Sequence, residues 1–205
     1  METTENDFLE AAEKQFADHG YAGAKIRAIA DQAKANLGAL HYYWGSKEGL
    51  FRAACKRRME PLIQERLTRF AAMDPANLKI EDILRAYFEP AFLQGRENPS
   101  RRDHLCEIYA RILTDPSPEV KIIMSEIFAE STSTFVRLLR TACPHLDDKT
   151  FYWRLHAVLG IFQHSSTYTS NINRLAGGIF DAGSIETGLG HIIGFVASGL
   201  KAPAD

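Results

Sequence analysis

Two histidine groupings carry residue types capable of bond chemistry. His104 and Cys106 stand two apart, and His156 and His164 stand eight apart. An imidazole and a thiolate this close could hold a metal, but a metal site needs a second pair at ligand spacing, and none follows. His156 and His164 have no carboxylate motif beside them, and the chain contains no GxSxG, glycine-rich phosphate loop or HExxH. These residues point away from an enzyme, so no catalytic residue, metal or cofactor is expected. The remaining chemistry is contact with a polyanion. Residues 25–58 hold Lys25, Arg27, Lys34, Lys47, Arg52, Lys56, Arg57 and Arg58 against Asp31 and Glu48, a local +6 in a chain of net charge −2. The flanking segments, 1–24 and 59–205, are acidic on balance. A confined basic segment fits a polyanion contact; the plainer alternative is a solvated helical face.

The elements that would position these charges are short helices. Thr3 or Thr4 can cap a first helix to about His19, with Phe8, Leu9, Ala12 and Phe16 on one apolar face and Gly20 as its stop. A second helix is expected over Ile26–Ala33, burying Ile26, Ile29, Ala30 and Ala33. A third begins at the N-cap residue Asn36 and runs to about Tyr43, with Leu40 and Trp44 inward and Gly45 as its stop. That leaves Leu37, Gly38, Ala39, His41 and Tyr42 nearer the outside, and small residues at 38 and 39 allow close approach to a groove. Two short helices joined by a tight connection are the layout of a helix-turn-helix, spanning about 25–44.

Ser46 caps a fourth helix that continues towards Met73 with Pro61 inside it. Further helices are expected over Ile80–Arg96, Arg101–Leu113, Pro118–Ala142, Lys149–Arg174 and Ile185–Leu200, separated by Asn98-Pro99, Asp115-Pro116 and Cys143-Pro144. There is no strand-like alternation of useful length. The expected fold is all-α, with about nine helices, and its 45% apolar content suits a buried core. Three widely spaced cysteines form no disulfide framework, which fits a reducing cytoplasm. No secretory signal is visible and no apolar run approaches the roughly 18 residues that span a bilayer, so no membrane partner is expected.

The run from Phe8 to Phe51 resembles the N-terminal domain of TetR-family (TetR/AcrR-type) transcriptional regulators. The matching positions are Ala11-Ala12, Phe16, Gly20-Tyr21, Arg27, Ile29-Ala30, Gly38, Leu40, Trp44 and Ser46-Lys47-Glu48. The later segments GSKEGLFRAACKRRMEPLIQERL and FYWRLHAVLG are more weakly similar to the fatty-acid-responsive PsrA-type subgroup. The chain departs from the family pattern at three places. Ala24-Lys25 replaces a capping Thr or Ser before the second helix. Lys34-Ala35-Asn36 replaces a Gly-Val-Ser turn. His41 stands where Tyr is usual.

The resemblance implies a DNA-binding domain over 1–50 and a helical effector-binding and dimerisation domain over 51–205. It implies a homodimer that places its third helices in the halves of a near-palindromic double-stranded DNA operator. Arg27, Leu37, Gly38, Ala39 and His41 would face bases, with Arg27 also able to take a phosphate. Lys25, Tyr42 and Lys47 would hold phosphates. The dimer would form through Leu155, Val158, Leu159 and Phe162 on one helix and Ile185, Leu189, Ile192, Ile193 and Val196 on another, aided by Gly190 and Gly194; the alternative for these stripes is monomer core. A small apolar or amphipathic, possibly lipophilic, effector would lie among Tyr87, Phe88, Phe92, Tyr109, Phe128, Trp153 and His164, and ordinary core is the alternative for each. The expected activity is ligand-responsive regulation of transcription, as a repressor released by its effector. The rival is a helical small-molecule-binding module without DNA binding.

Overall fold

The computed structural model describes residues 5–93, 115–167, 175–177 and 185–204. Among these are eight α-helices and no strand: α1 Glu5–Gly23, α2 Ile26–Gln32, α3 Leu37–Trp44, α4 Lys47–Ala71, α5 Ile80–Leu93, α6 Pro118–Ala142, α7 Asp148–Thr167 and α8 Ile185–Lys201. The helix expected over Arg101–Leu113 lies outside the described residues, with His104, Cys106 and Tyr109. So do the Thr3/Thr4 cap and the far end of the helix expected to reach Arg174. The described residues divide into two compact units, 5–61 with 115–129 and 62–93 with 130–204. The first unit is larger than the expected 1–50 head, since it takes α4 to Pro61 and α6 to Ala129.

Local chemistry sets each boundary in the head. α1 buries Phe8, Ala11, Ala12 and Phe16 and is broken at Gly20, whose φ of 69° and ψ of 176° suit a residue without a Cβ. Asn36 caps α3, its Oδ1 accepting the Ala39 N–H at 2.8 Å. Gly45, at φ 69°, closes the same helix and donates its N–H to the His41 carbonyl at 2.9 Å. Ser46 Oγ accepts the Gly49 N–H at 3.1 Å at the start of α4. An aromatic cluster then fixes the helices to one another. Phe8 meets Trp44 edge-on at 5.3 Å, and Phe51 meets Phe16 and Tyr21 at 4.8 and 4.9 Å. Leu40 and Ile29 are fully buried beneath them.

The second unit is built on α5, the C-terminal part of α6, α7 and α8. Ile83, Leu84, Tyr87, Phe88 and Phe92 of α5 share one core with Phe135, Leu138 and Leu139 of α6, Phe151, Leu155, Val158 and Phe162 of α7, and Leu189, Ile193, Val196 and Leu200 of α8. α8 packs against both α5 and α7. Its C-terminal end is held by Arg154, whose guanidinium donates to the carbonyls of Gly199 (2.9 Å), Ala202 (2.6 Å) and Pro203 (2.6 Å). A cation on the last carbonyls of a helix also complements its dipole.

Candidate functional site

The exposed edge of α3 is made by Gly38, His41, Tyr42 and Tyr43, with Leu37 and Ala39 half-buried beside them. Burial of Leu40 by the head leaves its neighbours outward, because each helical residue is turned about 100° from the last. Tyr42 is 85% exposed and meets Tyr43 of its own helix edge-on, at 5.4 Å between rings. His41 is exposed too, and its Nδ1 lies 3.0 Å from the Gly45 carbonyl.

Of the eight basic residues of the 25–58 segment, three arginines are paired with carboxylates. Arg52 pairs with Glu48 and, more closely, with Glu126; Arg57 pairs with Glu10 and Glu13, and Arg58 with Glu13. These three arginines are largely neutralised inside the first unit, the plainer of the two sequence-based readings for that part of the charge run. Lys25 and Arg27, at and just inside the start of α2, are exposed. Lys25 occupies the N-cap position without a side-chain cap bond, so the departure from a capping Thr or Ser leaves the first turn of α2 uncapped. Lys47 is drawn back into the head: its Nζ donates to the Ala22 carbonyl at 3.2 Å and lies 5.0 Å from the Tyr21 ring centre, and partial burial lowers its pKa. An ammonium has further N–H donors for a phosphate. Lys34, in the turn between α2 and α3, adopts φ 55°, a left-handed conformation strained for a side-chain-bearing residue.

One holding residue escaped sequence reasoning. Asp115 accepts the Tyr21 N–H at 3.1 Å and the Ser117 N–H at 2.9 Å. It braces the Gly20-Tyr21 turn from ninety-four positions away, a distance over which no local signal points.

In the second unit, Tyr87, Phe88 and Phe92 form an aromatic column. Tyr87 stacks on Phe135 at 4.2 Å, Phe88 on Phe162 at 3.4 Å, and Phe92 meets Phe162 edge-on at 6.2 Å. Arg66, 2% exposed, donates from Nε to the Tyr87 carbonyl at 2.7 Å and covers the Tyr87 ring at 4.0 Å, while the Tyr87 hydroxyl meets Thr132 Oγ1 at 2.9 Å. Sequence patterning did not single out Arg66, since a charged residue on an amphipathic helix reads as surface. Of the other expected pocket residues, Phe128 belongs to the first unit and Tyr109 lies outside the described residues. Trp153 and His164 are corrected: both are exposed, Trp153 by 67%. The inward stripe of α7 is Phe151, Leu155, Val158 and Phe162, and at about 100° per residue Trp153 and His164 fall on the opposite side.

The expected dimer stripes need the same correction. Leu155, Phe162, Leu189, Ile193 and Val196 are buried in the chain's own core, with Val158. Ile192 lies at its margin, Leu159 is exposed, and the Ile185 side chain is outside the described residues. The face turned outward carries Trp153, His156, Leu159 and Gly160 on α7 and His191, Gly194 and Phe195 on α8, with Phe195 72% exposed. A Cβ added at Gly160 or Gly194 would meet nothing within 4 Å in this chain. A shallow cavity of about 270 Å³ between the two helices is lined by Arg154, Ala157, Ile161, Phe195 and Gly199.

Among the described residues no group of three or more His, Cys, Asp or Glu side chains could hold a metal ion, and no helix is long and apolar enough to cross a membrane. Cys55 and Cys143 are buried free thiols, and burial pushes both thiol pKa values up.

Comparison with known proteins places these features in context. The family described as "Bacterial regulatory proteins, tetR family" matches residues 8–54, and "Tetracyclin repressor-like, C-terminal domain" matches residues 85–199, more than half of the chain. The transcriptional repressor SCO4008 of Streptomyces coelicolor is 41% identical over 58 residues, 28% of this chain and 30% of that protein. The transcriptional repressor AcnR of Corynebacterium glutamicum is 31% identical over 113 residues, 54% of this chain and 51% of that protein. The aligned stretches thus cover between about a third and a half of these relatives. The fold matches that of FadR from Bacillus subtilis, solved in complex with stearoyl-CoA, with a TM-score of 0.66 at 15% identity over 96% of this chain and 99% of that one.

Proposed function

The chain belongs to the TetR family of bacterial regulatory proteins, and from that premise we propose that it is a ligand-responsive, DNA-binding transcriptional regulator in the cytoplasm, a repressor that a small apolar or amphipathic effector releases from a palindromic operator. The observation that carries this reading is the exposed edge of α3. Gly38, His41 and Tyr42 stand uncovered on a helix whose opposite side is locked into the head, with Lys25 and Arg27 exposed on α2. Such an edge fits a major groove: the glycine allows close approach, the polar side chains meet base edges, and the cations meet phosphates. That the relatives are transcriptional repressors supports a regulator and not an enzyme.

The homodimer is placed on the outward face of α7 and α8. Two copies joined there would form a four-helix bundle, with Gly160 and Gly194 allowing close approach and Phe195 and Trp153 covered. The effector is assigned to the aromatic column of Tyr87, Phe88 and Phe92, where apolar surface lies beside the buried guanidinium of Arg66. These rings already pack against one another, so an entering ligand must displace them. Binding is thereby tied to a change in packing, the requirement for a two-state shift. The stearoyl-CoA bound by the similarly folded FadR supports an amphipathic effector.

The test is recovery of bound fragments from genomic DNA, followed by footprinting with and without long-chain acyl-CoA. A symmetric protected site that opens on addition of the thioester is the expected result. Failure to recover any fragment would sink the DNA-binding reading and favour a ligand-binding module.

A further inference from the structure

Resting on the DNA-binding reading above, we propose that His41 is a specificity-determining residue that selects adenine or cytosine on the strand it reads. Its Nδ1 lies 3.0 Å from the Gly45 carbonyl. A carbonyl only accepts, so Nδ1 must carry the proton of that bond. Gly45 is itself held in place, by its φ of 69° and by its N–H on the His41 carbonyl at 2.9 Å. The ring and the helix end therefore clamp each other. A neutral imidazole has one N–H, and here it is already used. The remaining ring nitrogen, Nε2, is a bare acceptor on an exposed residue of the helix edge proposed to face the groove.

In the major groove the hydrogen-bond donors are adenine N6 and cytosine N4, whereas guanine offers N7 and O6 and thymine offers O4, all acceptors. A bare Nε2 bonds to either donor. Opposite guanine or thymine, two acceptors face each other and both lose their water. The tyrosine usual at this position of the family pattern has a hydroxyl that both donates and accepts, so it carries no such preference. The departure at His41 therefore changes what the helix can read.

The test is selection from random-sequence DNA by the full-length protein at pH 8.5, above the range in which histidine ordinarily carries charge. It compares wild type, His41→Ala and His41→Arg. The position read by His41 is the one whose preference disappears in His41→Ala, and the strand it reads is the one on which His41→Arg gains guanine, since arginine pairs with guanine N7 and O6. Wild type is expected to favour adenine or cytosine there by about three- to tenfold, and His41→Arg to move that position to guanine with the others unchanged. Circular dichroism and light scattering establish that both variants fold and dimerise, and the wild-type preference stands as a test without them. A wild-type preference for guanine or thymine at that position, or no position altered in folded His41→Ala, overturns the proposal. If wild type selects no sequence, the DNA-binding reading itself fails and takes this one with it.

Discussion

The backbone N–H of Tyr21 donates to the Asp115 carboxylate across 3.1 Å, joining the segment just past the Gly20 break in α1 to the residues just before α6. Partial burial pushes the Asp115 pKa up, but hydrogen bonds from Ser117 and Tyr21 pull it further down, and it lies below the ordinary aspartate value. A carboxylate with a lowered folded pKa stabilises the fold above its unfolded value of about 4 and loses that contribution as pH falls through the folded one. Asp115→Asn should therefore lower the urea midpoint at pH 7. The gap to wild type should shrink as pH falls through the lowered folded value and the carboxylate takes up its proton. Equal midpoints at pH 7 would show that the brace contributes nothing.

Lys34 is the head's one described residue other than glycine with positive φ, at 55°. Glycine adopts this conformation without the clash between Cβ and carbonyl that lysine carries. Lys34→Gly should raise unfolding stability by about 0.5–1 kcal/mol, the relief of strain exceeding the added freedom of the unfolded chain. Chemical denaturation of the two proteins measures this directly. A less stable variant would mean that the Lys34 side chain contributes more than its backbone strain costs.

These two positions show which parts of the fold were readable. Gly20, Asn36, Gly45 and Ser46 act on neighbours within a few residues, so residue identity alone marked these breaks and caps, although α1 resumes beyond Gly20 as far as Gly23. Pro118 and Asp148 likewise lie at helix starts close to where they were expected. The inward face of α7 and α8 was harder to choose. Both helices carry apolar or aromatic residues on opposite sides, Leu155 and Phe162 inward against Trp153 outward, and Leu189 and Ile193 inward against Phe195 outward. Periodicity then offers two stripes and no means of ranking them. Long-range partners left no trace either. The Asp115–Tyr21 bond, the seat of Arg66 on Tyr87, Arg154 on the end of α8, and the glutamates that neutralise Arg57 all depend on the assembled fold.

The outward stripe gives a prediction for assembly. Phe195→Glu places a charge on the face assigned to the dimer and changes no residue of the chain's own core. It should yield folded monomers by light scattering where wild type is expected to give dimers, since an unpaired charge in an apolar interface is costly. Gly194→Leu fills space that is open in the single chain and should weaken the dimer while leaving the circular dichroism spectrum unchanged. Dimers that survive both substitutions would place the interface elsewhere.

The α2–α3 edge is proposed to read DNA. Fluorescence anisotropy of a labelled operator, recovered by the genomic selection, tests it most directly with wild type, Arg27→Ala and Tyr42→Ala, while light scattering follows the dimer. Each substitution should weaken binding by about tenfold or more, the scale of losing one or two groove or phosphate contacts, with the dimer intact. Wild-type affinity in both variants would contradict the assignment.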